Sequence, residues 1–204
     1  MQIPSLSQTA AALLLCGLAA QAGATGTVVI DTYGPGDATD GWPSQLMPGQ
    51  DLAIAFDIAS AATIESILTS IDGVGGITVG ILARIGSVPT AGAWLYSTHL
   101  SDPWANTPLA PAGWTLAAGS YWLLTQADAG FAGQWQSGTD TPGAAWAFSS
   151  SGAWQAVDTG FIGAPATRIT VTSAVPEPST WGLMALGALV VAGARVRRQQ
   201  QPQG

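Results

Sequence analysis

Residues 51–58, Asp-Leu-Ala-Ile-Ala-Phe-Asp-Ile, decide the fold. Leu52, Ile54, Phe56 and Ile58 fall at every second position, which puts them on one face of an extended chain, as in a half-buried β-strand. Outward from there the signature recurs. Residues 77–85 (ITVGILARI) set Ile77, Val79, Ile81 and Ile85 on a shared face. Residues 27–33 (TVVIDTY) are short and β-branched and read as a first strand, ended by the turn chemistry of Gly34-Pro35-Gly36-Asp37. Further strands are expected at 93–99, 119–126, 134–136, 144–148 and 166–172, with Pro- and Gly-rich intervals between them. Residues 63–71 (TIESILTSI) stay open: Ile64, Ile67 and Ile71 have helical spacing, whereas the β-branched content permits a strand. Short, evenly spaced strands without a convincing amphipathic helix predict an all-β fold, an antiparallel β-sandwich of jelly-roll-like type.

Composition narrows the function classes. The ends, 1–24 and 175–204, read as targeting segments, leaving about 150 residues at 25–174, a normal size for one domain. A chain of that size buries enough surface to fold without a metal or disulfide. The lone cysteine, Cys16, lies in the segment expected to be removed. No lysine occurs, and within 25–174 eleven carboxylates against Arg84 and Arg168 leave a net charge of −9. An acidic domain without a basic patch is a poor nucleic-acid partner, because phosphate neutralisation supplies most of that affinity.

Residues 10–20 (AAALLLCGLAA) form an apolar run too short for a bilayer span but of the length of a signal-peptide core. Ala22 and Ala24 supply small residues at −3 and −1, placing signal-peptidase cleavage after Ala24. The segment before the run carries no Lys or Arg, a departure from the usual pattern. Leu15, preceding Cys16, argues against a lipidation site.

At the other end, Val175-Pro176-Glu177-Pro178-Ser179 precedes sixteen uncharged residues, 179–194. As a helix that run is about 24 Å long, a little under the roughly 30 Å hydrocarbon core. Arg195, Arg197 and Arg198 follow it, and the positive-inside rule puts them in the cytoplasm and the acidic domain outside. A single C-terminal transmembrane helix is therefore expected. A helix packed on the domain is the alternative, which the arginine cluster disfavours.

Candidate chemistry is thin. His99 is the only histidine, so a serine-hydrolase triad would have to use it, and no Gly-x-Ser-x-Gly elbow is present. His99 and nearby Asp102 read as a pair in a loop or at a strand end. Glu65, the domain's one glutamate, has no evident partner for paired-carboxylate hydrolysis. Zinc sites usually need two or three His/Cys ligands, and the segment left after signal cleavage offers one, His99. Asp31, Asp37 and Asp40 in a Gly-rich stretch are a weak Ca²⁺ candidate, without the alternating spacing of an EF-hand loop. Turn formation by the same aspartates is the simpler reading. No catalytic residue and no cofactor is expected. Of the eight tryptophans in 25–174, most read as packing. Trp104 (SDPWANTP) and Trp114 (PAGWT), in expected loops, are the candidates for stacking on a sugar ring.

The tail resembles the PEP-CTERM sorting signal of Gram-negative bacteria: Val175 to Ser179 match the motif, 181–194 the helix, and Arg195 to Arg198 the basic end. The resemblance implies recognition by an exosortase, a membrane-embedded cysteine transpeptidase that cleaves near the motif. It also implies transient residence in the inner membrane and delivery to the cell envelope, outer surface or extracellular matrix, where such proteins are associated with exopolysaccharide and biofilm. The stretches AIAFDIASAATIESI, TVGILARIGSVPTAGAWLYS and WTLAAGSYWLL are similar to the choice-of-anchor group of exported domains, which implies architecture and no activity.

Overall fold

The alternation at 52–58 is realised as a strand with its apolar set turned inward. Leu52, Ile54, Phe56 and Ile58 are all buried. In this computed structural model the described residues are 26–34, 43–90, 92–138, 144–157, 163–173 and 182. They form fourteen strands: β1 (Thr27–Asp31), β2 (Pro43–Leu46), β3 (Leu52–Ile58), β4 (Ala62–Thr69), β5 (Ile71–Val74), β6 (Gly76–Ala83) and β7 (Tyr96–Ser101), then β8 (Pro108–Leu109), β9 (Thr115–Leu116), β10 (Gly119–Ala127), β11 (Ala132–Gln136), β12 (Trp146–Ser150), β13 (Ala153–Val157) and β14 (Thr167–Ser173). All belong to the unit Thr25–Ala174. The fold is all-β, and every strand pairing is antiparallel.

Three sheets share one core. The six-stranded sheet runs β13-β12-β3-β10-β6-β7, the five-stranded sheet β1-β14-β4-β8 with β9 also on β4, and a small sheet β2-β11-β5. Ile54, Ile77, Val79, Ile81 and Leu123 from the first meet Ile64, Ile67, Ile169 and Val171 from the second and Ile71 and Trp135 from the third. Truncating one of these isoleucines to Ala removes apolar burial and leaves a cavity, at a cost of about 2–5 kcal/mol.

The open segment 63–71 is extended throughout, as β4 and the start of β5. Its helical spacing has a physical origin. The β4–β14 register shifts between Thr170 and Val171, pairing Ser66 with Thr170 and Ile64 with Val171, so Glu65 is the extra residue of a β-bulge. The bulge turns the chain by one position, so Ile64 and Ile67, three apart, both face the core. Ile85 departs from expectation. It is 85% exposed, because β6 ends at Ala83, opposite Tyr121 of β10, and the inward set stops at Ile81. The strand expected at 93–99 is shifted to Tyr96–Ser101, which frees Trp94 from the ladder.

β3 is buried on its other face too. Ala53 and Ala55, with Leu82, Trp122, Leu124 and Ala147, form a second cluster, against which Val88, Trp94 and Trp154 pack. Small residues at the sheet's centre leave room for the indoles laid over it.

Candidate functional site

β7 runs out at Ser101 into a loop held from several sides. Asp102 N–H donates to Gly75 O (2.9 Å), and Gly75 N–H donates back to Asp102 Oδ1 (2.7 Å). Gly73 N–H donates to Pro103 O (3.1 Å), and Asn106 N–H to Thr69 O (3.2 Å). Two non-glycine residues of the loop have positive φ, Asp102 at 46° and Asn106 at 66°. Asn and Asp tolerate that region better than other residues. Between them stands Trp104, 80% exposed. Its loop borders a cleft of about 320 Å³ with Ile71, Leu100 and Leu109 as apolar lining and His99, Asp102 and Thr107 as polar lining.

His99 and Asp102 do not pair with each other, contrary to the sequence expectation. His99 Nε2 lies 2.8 Å from Asp128 Oδ2, both side chains about half exposed, while Asp102 is committed to the Gly75 amide. The partner at 128 comes from the end of β10, beside Gly76. A Cβ on Gly76 would collide with both members of the pair, so glycine is required for their approach.

Trp114 is not a surface platform. It is 8% exposed and stacks on Tyr96, with centroids 5.5 Å apart and planes at 15°. Two hydrogen bonds fix that stack: Tyr96 OH donates to Thr115 O (2.9 Å) and accepts from Thr115 N–H (3.3 Å). Pairing of Thr115 with Thr63 and of Leu116 with Ala62 docks the short strand β9 on β4, and the indole follows it into the core.

Asp31 is engaged by its own turn. Its Oδ1 accepts from the N–H of Tyr33 (3.0 Å) and of Gly34 (3.3 Å), and its Oδ2 from Arg168 Nε (2.8 Å). Arg168 also donates to Gly34 O (2.9 Å) and lies over the Tyr33 ring at 5.8 Å. Asp37 and Asp40 lie outside the described residues, among which no group of three His, Cys, Asp or Glu side chains is arranged to hold a metal. Also outside them are Ala22, Ala24, Val175, Pro176, Glu177, Pro178, Ser179, Arg195, Arg197 and Arg198. Among the described residues no helix is long and apolar enough to cross a membrane; all but Gly182 of the run 179–194 lies beyond them.

Residues 174–198 match the PEP-CTERM protein-sorting motif. The chain therefore carries the signal by which exosortases sort exported proteins to the envelope or surface. Among curated proteins none matches the chain.

Proposed function

We propose that this is a non-enzymatic protein of the cell envelope or extracellular matrix. In this reading signal peptidase releases it after Ala24, a C-terminal transmembrane helix holds it briefly in the inner membrane, and an exosortase processes it at Val175 to Ser179. Its cargo is a jelly-roll-like, choice-of-anchor-like β-sandwich that associates with exopolysaccharide in biofilm. The motif at 174–198 carries the proposal. The acidic charge of 25–174 supports a partner other than nucleic acid. Mass spectrometry of the mature protein from an exosortase-positive host tests it. Peptides ending near residues 175–179 and absence of the basic end are expected; an intact C-terminal peptide through Arg198 refutes the processing.

A second reading is a carbohydrate-binding module, favoured by the exposure of Trp104 on a loop tied down by backbone hydrogen bonds. An indole in that position presents a flat apolar surface at little conformational cost. Affinity electrophoresis through neutral polysaccharide gels should show retardation that Trp104→Ala abolishes. Retardation unchanged by that substitution removes Trp104 from the reading.

A further inference from the structure

The outer face of the six-stranded sheet carries a second cleft, which shares no lining residue with the one beside Trp104. Its position follows from strand register. Trp154 of β13 pairs with Ser149 of β12, whose N–H donates to Asp51 O (2.7 Å) at the start of β3. Ala53 pairs with Leu124, so Asp51 and Gln126 of β10 come side by side two residues further on. From the far side Trp94 closes in over β6: a Cβ on Gly80 would meet its Cε3 and Cζ3 at 2.6 and 2.7 Å. Two indoles, each partly exposed, thus stand on either side of a polar strip with Pro89 and Thr90 on the rim.

The strip has an unused acceptor. Asp51 Oδ1 accepts from Ala127 N–H (3.0 Å), and among the described residues the carboxylate makes no other hydrogen bond. A carboxylate offers about four acceptor positions, so most remain available. Burial pushes the Asp51 carboxyl above its usual value, against the opposing effect of the Ala127 hydrogen bond. A partly desolvated carboxylate with open acceptor positions in a cleft is a pattern associated with binding sites.

We infer that this cleft binds a single neutral pyranose ring, with Trp94 and Trp154 against its apolar C–H faces and Asp51 and Gln126 taking its hydroxyls. Size limits the ligand to one ring: the cleft holds about 150 Å³, well under the roughly 300–1,000 Å³ of sites for drug-sized ligands. Charge sets the class. No Lys or Arg lines the cleft, Asp51 does, and the 25–174 segment carries −9, so a uronate or sulfated sugar meets repulsion with no compensating donor. Hydroxyl donors, in contrast, satisfy the open carboxylate oxygen.

Saturation-transfer NMR on the full chain with the methyl pyranosides of glucose, galactose, mannose and N-acetylglucosamine, and with methyl glucuronide, tests this. Transfer to at least one neutral sugar and none to the glucuronide is expected. That transfer should fall at least fivefold in Trp154→Ala and in the near-isosteric Asp51→Asn, and persist in Trp104→Ala. Asp51→Asn keeps the proposal testable if Trp154→Ala disturbs β13. No transfer to any neutral sugar, transfer to the glucuronide alone, or full signal in Asp51→Asn overturns the inference. Loss only in Trp104→Ala would also overturn it while leaving the other cleft's reading intact.

Discussion

Replacing Asn106 by glycine should stabilise this protein, although the residue sits in a loop pinned by hydrogen bonds. Asn106 holds φ 66°, and its Oδ1 is buried without a partner. Left-handed backbone costs an L-residue about 1–2 kcal/mol, with Asn near the lower end. An unsatisfied buried polar atom costs about 1–3 kcal/mol, whichever end of the amide points inward. Against these, glycine gains unfolded-state entropy worth about 0.5–1 kcal/mol, and a little side-chain packing is lost. The bond from Asn106 N–H to Thr69 O survives, since it is main chain. The net is a stabilisation of about 1 kcal/mol, and with an m-value near 2 kcal/mol/M the urea midpoint rises by about 0.5 M. Asn106→Ala separates the terms. It also removes the orphaned oxygen but worsens the backbone cost, so it should lie close to wild type and about 1 kcal/mol below glycine. Tryptophan fluorescence in urea gives both numbers. A lower midpoint for Asn106→Gly, or Ala equal to Gly, refutes the reasoning.

Thr32→Val should destabilise by about 2 kcal/mol, because Thr32 Oγ1 accepts from the buried Thr167 N–H (2.9 Å) and donates to Pro165 O (2.6 Å). Thr63→Val, which breaks only an exposed hydroxyl pair with Thr115, should stay within about 0.5 kcal/mol in the same urea titration. Gly138→Ala should cost about 3 kcal/mol or more, since the new Cβ would collide with the Thr32 carbonyl oxygen, and neither backbone can yield freely. A melting temperature within two or three degrees of wild type (about 1 kcal/mol for a domain of this size) would contradict it. Asp51 has a folded pKa above its ordinary value near 3.8, so its contribution to stability is fully present below that value and is lost as pH rises through the folded pKa. The stability of wild type relative to Asp51→Asn should therefore fall over that interval and then level off; urea midpoints for both at a series of pH values would refute this if the difference grew with pH.

Strand existence is readable where one face is apolar at period two, as in β3 and β6, or where a short apolar run is bounded by turn residues, as in β10. What escaped were strands whose partners supply the reason for them. β5 (IDGV) and β13 (AWQAV) have little apolar pattern of their own and are extended because β11 and β12 offer them ladders. The bulge at Glu65 is a sharper case, since it converts a strand's period into a helix-like one. No local rule recovers that, because the shift is defined by the register with β14, about a hundred residues away.

The candidate sites show the same limit in side-chain terms. Trp104 and Trp114 have nearly interchangeable surroundings in the sequence, each in a Pro-containing, turn-forming stretch, yet one is on the surface and the other in the core. The difference is which backbone groups each loop satisfies internally. Around Trp104 the chain bonds to Gly73, Gly75 and Thr69 through main-chain groups and the Asp102 carboxylate, so nothing requires the indole to turn inward. At Trp114 it is the residue's own carbonyl that accepts from Ile64 N–H (2.8 Å), which draws the residue onto β4 and its ring onto Tyr96. Asp51 is unmarked in the sequence for a related reason. In DLAIAFDI it looks like the polar punctuation before an alternating strand, and its place in a cleft with Trp94 and Trp154 arises only from long-range strand register. Local sequence thus located the chemistry-bearing residue types, and long-range strand register decided which of them face an open cleft.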